Sequence, residues 1–440
     1  MSFAFDFDSH FRGHSRRRFY KEYGVVKRVN GPIVEGTLPG ASIGSACLIE
    51  TIDGRKLEAE VVGFRDRVAL LMPLSSLEGV SMHSRIEHKA GEAQVIVGDW
   101  MIGSLLDGMG RPMGAPSSVK LTGTPRPIRA AVLNPVDRAV INQRIFTGVR
   151  AIDYTCALGK GQRIGIMAGS GVGKSVTMGM IAQNSKADLN VIALIGERGR
   201  EVTEFVERDL GPEGLKKSIV IAVSSDESPV LRTRGALVAT AIAEHFRDRG
   251  LDVLLMMDSV TRFAMAQREI GLAAGEPPTA KGYTPSVFAQ LPKLLERAGS
   301  KKNSGSITGI YTVLVEGEDF EDPIADSVRS IVDGHVVLTR KLAQQNHYPP
   351  VDVLQSLSRL SHVVATTEEK AASSAIRSLL AAYREAEDLI NIGAYRRGTN
   401  EAWDRAVAWR PKIVEFLKQG INEKIDKTKI EQFFSELLNG

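Results

Sequence analysis

The stretch Ala168-Gly169-Ser170-Gly171-Val172-Gly173-Lys174-Ser175 constrains this chain more than any other. It has the spacing of a phosphate-binding loop, the glycine-rich turn between a strand and a helix. Before it, Arg163-Ile164-Gly165-Ile166-Met167 is short and apolar, as a buried strand is. After it, Val176-Thr177-Met178-Gly179-Met180-Ile181-Ala182 is apolar enough for a helix packed on a sheet. Glycines let the backbone turn tightly, so successive N–H groups point at one anion. The helix N-terminus adds partial positive charge. On this reading Gly169, Ser170, Gly171, Val172, Gly173, Lys174, Ser175 and Val176 cradle the phosphates of a nucleotide. Lys174 reaches the terminal phosphates and the Ser175 hydroxyl ligates Mg²⁺. The strict pattern asks for glycine at 168, where this chain has alanine. That position shapes the entry to the turn more than the phosphate contact.

The chain has 440 residues, enough for two or three domains and a sizeable core. Its net charge of +4 is mild and does not argue for nucleic acid. Cys47 and Cys156 are far apart and fit no metal spacing, which suits a reducing cytosol. No apolar run approaches the ~20 residues that span a bilayer, and the N-terminus lacks the apolar core of a signal peptide. The expectation is a cytoplasmic protein whose membrane association, if any, is peripheral.

Residues 1–22 alternate Phe3, Phe5, Phe7 and Phe11 with a basic cluster, Arg12, Arg16, Arg17, Arg18 and Lys21. They read either as a solvated tail or as an arm that docks on a partner or on acidic headgroups. Residues 23–98 hold short β-type runs at 25–29, 46–49, 57–62 and 68–72, separated by Asn30-Gly31-Pro32, Pro39-Gly40 and Asp53-Gly54-Arg55. Close-spaced short strands suggest a small barrel. Between Val25 and Asp99 the only aromatic residue is Phe64, so base stacking has little to use and an assembly collar is favoured. Leu105 to Pro112 reads as a Gly/Pro-rich linker. From about 130 to 345, strand-like runs (191–195, 219–223, 253–257, 310–314, 336–338) alternate with helix-like segments such as Pro229 to Arg249. That alternation implies a largely parallel sheet covered by helices. Beyond about 362 the pattern is helical, with candidate capping boxes at Thr366/Glu369 and Thr428/Glu431 and stops at Gly393 and Gly420.

Three further positions carry chemistry. Asp258 ends the apolar strand Met256-Met257, where a phosphate-loop enzyme keeps the carboxylate that holds Mg²⁺. Glu197, in Gly196-Glu197-Arg198-Gly199-Arg200-Glu201, directly follows strand 191–195. Ligands of open α/β sheets sit at such strand ends, and a carboxylate there can orient an attacking water. Local sequence leaves that role and a solvated charge run equally open. Arg359, in Ser356-Leu357-Ser358-Arg359-Leu360, is by itself an ordinary surface arginine.

The chain closely resembles the type III protein-export ATPases, the flagellar branch in particular, over about residues 20 to 440. Ala168–Ser175, Leu194–Val202, Met257–Arg262, Glu276–Phe288, Glu321–Ser327 and Asp333–His335 carry the resemblance in one order. It implies a β-barrel over 23–98, a RecA-like ATPase domain over 99–350 and a helical C-terminal domain over 351–440, behind the arm 1–22. It implies a homohexameric ring with ATP and Mg²⁺ at subunit interfaces. Glu197 matches the catalytic carboxylate, and Arg198 an arginine near the γ-phosphate. Arg359 matches the arginine finger of the neighbouring subunit, and Tyr348 a residue stacking near adenine. Gly275–Pro285 matches the segment facing the pore, where a central stalk-like protein turns. The family's N-terminal end binds a regulatory stalk protein. Export chaperones, export substrates and a membrane export gate are the other implied partners, with no nucleic acid. The implied location is cytoplasmic, peripheral to the inner-membrane export apparatus. Asn391-Ile392-Gly393-Ala394-Tyr395 and the overall run of the ATPase domain favour the flagellar over the virulence-secretion branch. A non-catalytic ring subunit, which carries Gln where Glu197 stands, and an RNA-dependent motor like the terminator Rho are the competing readings.

Overall fold

Alternation of buried and half-buried residues gives the N-terminal strands an inner face, as in Ala46–Glu50, where Cys47 and Ile49 are fully buried. The computed structural model describes residues 22–89, 93–114, 121–315, 317 and 321–439. The arm and its partner reading therefore lie outside the described residues, apart from Glu22. The chain divides into two units, Met1–Ala93 and Gln94–Gly440.

In the first unit six strands form a closed barrel: β1 Tyr23–Asn30, β2 Ile33–Gly36, β3 Ala46–Glu50, β4 Lys56–Arg65, β5 Val68–Pro73 and β6 Arg85–His88. Their order is β1-β2-β5-β4-β3-β6. Val26, Val34, Ile49, Val61, Leu71 and Ile86 fill its interior, each fully buried. Closure leaves no free edge. The sequence reading found β1, β3, β4 and β5. It missed β2 and β6, four residues each and too short to show a period.

The second unit begins with β7 Gln94–Val97, β8 Leu105–Leu106 and β9 Thr124–Pro127. β7 pairs with β9, so the stretch up to residue 98 read as barrel partly belongs here. The expected linker is also partly a strand: β8 pairs with β14, and Leu106 is fully buried at that sheet edge. A small pair, β10 Arg144–Ile145 and β11 Leu158–Gly159, precedes the main sheet strands. These are β12 Arg163–Ala168, β13 Leu189–Glu197, β14 Ser218–Ser224, β15 Asp252–Asp258, β16 Gly299–Ser300, β17 Ser306–Leu314, β18 Gly334–Leu338 and β19 Val351–Ser358. Among the described residues the sheet runs β19-β18-β12-β17-β15-β13-β14-β8, with β16 on β17. All its pairs are parallel except β18 with β19 and β16 with β17. The register sets the C-terminal ends of β12, β13 and β15 along one edge, with Ala168 beside Leu314 and Leu194 beside Asp258.

β19 is the last strand of this sheet, so residues 351–358, read as the start of the helical part, belong to the α/β core. The helices follow at Ser361–Val364, Thr367–Asn391, Glu401–Leu417 and Lys427–Asn439. Thr366 and Glu369 form the expected capping box. The second expected box is absent: Asp426 Oδ1 accepts from the Thr428 N–H at 3.0 Å, because the helix already starts at Lys427. Gly393, at φ 71°, follows the long helix in the left-handed conformation. Gly420 stands past the Lys418 cap of helix Glu401–Leu417 rather than at its end. The helices lie on the α/β core through rings: Tyr154 meets Phe416 at 6.3 Å and Phe434 at 5.6 Å. Among the described residues no helix is long and apolar enough to cross a membrane.

Candidate active site

β12 ends at the buried Ala168, and the loop then turns through Gly171 (φ 76°) and Gly173 (φ 93°) into the helix Lys174–Asn184. Both glycines hold left-handed backbone that a side chain would strain. Gly173 caps the helix with no side-chain acceptor, so no capping side chain takes its first-turn N–H groups. Unpaired donors at a helix N-terminus form an anion site. The helix face away from the loop is apolar and buried at Met178, Ile181 and Ala182, which anchors the loop to the sheet.

Parallel register brings three charged side chains together at this edge. The Lys174 ammonium contacts Asp258 Oδ1 and lies 3.7 Å from Glu197 Oε1. Asp258 is 2% exposed. Burial pushes the Glu197 carboxyl up to about 7; the Lys174 ammonium pulls it down and the Asp258 charge adds to the rise. Glu197 also shares a hydrogen bond with Glu201, whose own pKa is lowered by it. Glu197 Oε1 has no hydrogen-bond partner although it is buried. A buried oxygen left open beside a phosphate loop is placed for a ligand or a water.

Glu197 owes its position to Gly196. At φ 70° this glycine breaks the β13–β14 register between Ile195 and Glu197. A Cβ added there would stand 2.9 Å from Arg262 Cβ.

Tyr348 lies across the loop, and a Cβ added at Gly173 would meet its ring at 3.7 Å. Tyr348 as a residue is 45% exposed, which leaves room for a planar ligand beside it. Arg198 is not in the cluster: its side chain is 82% exposed, 3.7 Å from Glu201. Ser170 stands exposed on the loop and Ser175 exposed in the first turn of the helix. Arg359 is exposed as well and sits at the opposite end of the strands from the loop. β19 runs antiparallel to β18, starting opposite Leu338 near the loop and ending at Ser358 opposite Gly334. A bulge in that pairing sets the eight residues of β19 against five of β18, so Arg359 stands level with Arg163, about 16 Å of strand from the start of its own phosphate loop.

Two contributors were not read from the sequence. Thr312, fully buried on β17, donates to Asp258 Oδ1 at 2.7 Å. It looked like one more residue of an apolar strand. Gln419 donates its N–H to the Tyr348 carbonyl at 2.9 Å, accepts from the Arg150 N–H at 2.7 Å and donates to the Gly148 carbonyl at 2.9 Å. Nothing local marks it, because its partners are distant in the chain.

Hard oxygens from Ser175 and Asp258 suit Mg²⁺, and the Lys174 ammonium on Asp258 shows that the spot favours a cation. Among the described residues no three His, Cys, Asp or Glu groups converge to hold an ion. A metal here would be shared with phosphate oxygens and water.

Comparison with known proteins finds the same order of domains. The nucleotide-binding domain of the ATP synthase alpha/beta family matches residues 148–358, and that family's beta-barrel domain matches 26–88. The T3SS EscN ATPase C-terminal domain matches 365–436. The flagellum-specific ATP synthase of Bacillus subtilis (strain 168) is 52% identical over 406 residues, 92% of each chain. The assembled ATPase EscN from the enteropathogenic E. coli type III secretion system superposes with a TM-score of 0.88 at 43% identity, over 94% of this chain and 100% of that one. EscN in complex with its central stalk EscO superposes with a TM-score of 0.86 at 42% identity, with the same coverage.

Proposed function

The chain belongs to the ATP synthase alpha/beta family, in the branch of the flagellum-specific ATP synthases and type III secretion ATPases, and from that membership we propose an ATP-hydrolysing motor of the flagellar protein-export apparatus. The observation that carries the reading is the convergence of Lys174, Glu197 and Asp258 at the phosphate loop.

The loop N–H groups and Lys174 hold the β- and γ-phosphates. To do so the Lys174 ammonium turns from the two carboxylates toward the nucleotide. Ser175 and Asp258 would hold Mg²⁺, which would supply neutralisation of the phosphate charge. Glu197 orients the attacking water in line with the γ-phosphate and takes its proton. Tyr348 stacks near adenine. Arg198 reaches the γ-phosphate by leaving Glu201. Arg359 serves the neighbouring subunit's nucleotide, because its own loop is out of reach.

The ring reading is homohexameric. EscN assembles and takes a central stalk, EscO; the equivalent stalk would meet Gly275–Pro285 here. A regulatory stalk protein at the arm, export chaperones and substrates, and an inner-membrane export gate complete the proposed set. The proposed location is the cytoplasmic face of that membrane. Identities of 52% and 50% to two flagellar relatives, against 48% to the type 3 secretion system ATPase of Xanthomonas euvesicatoria, favour the flagellar branch.

The decisive experiment is phosphate release by purified Glu197→Gln. We expect ATP binding to be retained and turnover lost; hydrolysis at the wild-type rate would refute the catalytic reading. Deletion of the gene should abolish flagellar filament export, and loss of effector secretion with normal motility would move the chain to the virulence branch.

A further inference from the structure

We propose that Thr312 is the positioning residue that aims the Asp258 carboxylate, and so sets the metal affinity of the nucleotide site. The proposal rests on the reading of Asp258 as the metal-holding carboxylate. β17 lies between β12, which carries the phosphate loop, and β15, which ends in Asp258. Thr312 pairs with Ile166 on one side, and Tyr311 pairs with Met257 on the other. Its neighbours Tyr311 and Val313 are fully buried and its own side chain is 0% exposed. A hydroxyl in such a place needs an acceptor. It has two within reach, Asp258 Oδ1 at 2.7 Å and the Met257 carbonyl at 3.2 Å, and one proton to give. The shorter bond, to a charged oxygen, is the stronger.

Asp258 Oδ1 takes both the Thr312 hydroxyl and the Lys174 ammonium. These donors differ in permanence. Lys174 is a flexible side chain at the start of the helix and turns to the phosphates when a nucleotide arrives. Thr312 is β-branched on a central strand and has nowhere to go. Once Lys174 has turned away, Thr312 keeps the carboxylate facing the loop. Outer groups of this kind typically change metal affinity by about 10- to 100-fold.

A purely structural threonine would satisfy the Met257 carbonyl and leave metal binding alone. The test is a Mn²⁺ titration, read by electron paramagnetic resonance, of the full chain with ADP. Thr312→Val should weaken Mn²⁺ binding about 10-fold, and Thr312→Ser should restore it. ADP affinity without metal should not change. If Thr312→Val binds Mn²⁺ as tightly as wild type while Asp258→Asn loses it, Thr312 has no such role and Asp258 keeps its own. Unchanged binding in Asp258→Asn would overturn both. If Thr312→Val does not fold, Thr312→Ala removes the same hydroxyl without forcing a methyl against the carboxylate, and its titration decides.

Discussion

A carboxylate with a pKa near neutrality makes two measurable statements. For catalysis, a general base must be ionised, so kcat/KM should rise with pH through about 7, the value of Glu197 in the nucleotide-free protein. A flat profile between pH 6 and 8 would remove Glu197 as the base. For stability, the folded protein holds this proton more tightly than the unfolded chain does. The contribution is therefore present below the ordinary carboxylate value of 4.5 and lost as pH rises through about 7. Glu197→Gln should then match wild type near pH 4.5 and be more stable at pH 8, by on the order of 1 kcal/mol. Urea melts of nucleotide-free protein at the two pH values measure it. Thr312 and Gln419 belong to the same scale but escaped the sequence. A threonine in an apolar run and a glutamine after a helix gain meaning only from what stands beside them.

At the scale of elements, the site hangs on the way β13 ends. Gly196 sits in left-handed backbone with Arg262 packed where a Cβ would go. Gly196→Ala should lose about 1–3 kcal/mol from strained backbone alone and should displace Glu197. Thermal melts and hydrolysis rates both report it. A stable variant with full activity would show that the bulge tolerates a side chain. The long helix Thr367–Asn391 was legible at both ends, from Thr366/Glu369 and from Gly393, because caps are local chemistry. The last helix was not: Thr428 and Glu431 have the right spacing, but Asp426 is a competing acceptor two residues earlier. β8 escaped for a related reason. Two leucines between glycine-rich turns form a strand only because β14 offers an edge.

At the scale of the molecule, the topology separates the phosphate loop from Arg359. Loop and arginine lie at opposite ends of the strands of one sheet, since β19 reverses direction. That separation supports the proposed trans arginine, and removing one can lower the rate by about 10³–10⁵. Arg359→Ala should lose activity on that scale and higher ATP should not rescue it. Mixing Arg359→Ala with Lys174→Ala chains should restore part of it. Some interfaces then join an intact loop to an intact arginine. A mixture as inactive as its components would contradict shared sites.

The sequence by itself determined the phosphate loop, the alternation of strands and helices, and the barrel's character. Each rests on near neighbours: glycine's backbone freedom, the period of apolar residues, the chemistry of turns. Tertiary structure decided which strand ends meet. It brought Lys174 onto Asp258, set Thr312 beneath them, joined Gln419 to Tyr348 and sent Arg359 to the far end of the strands. Those facts depend on strand order and register, which distant segments settle by packing together.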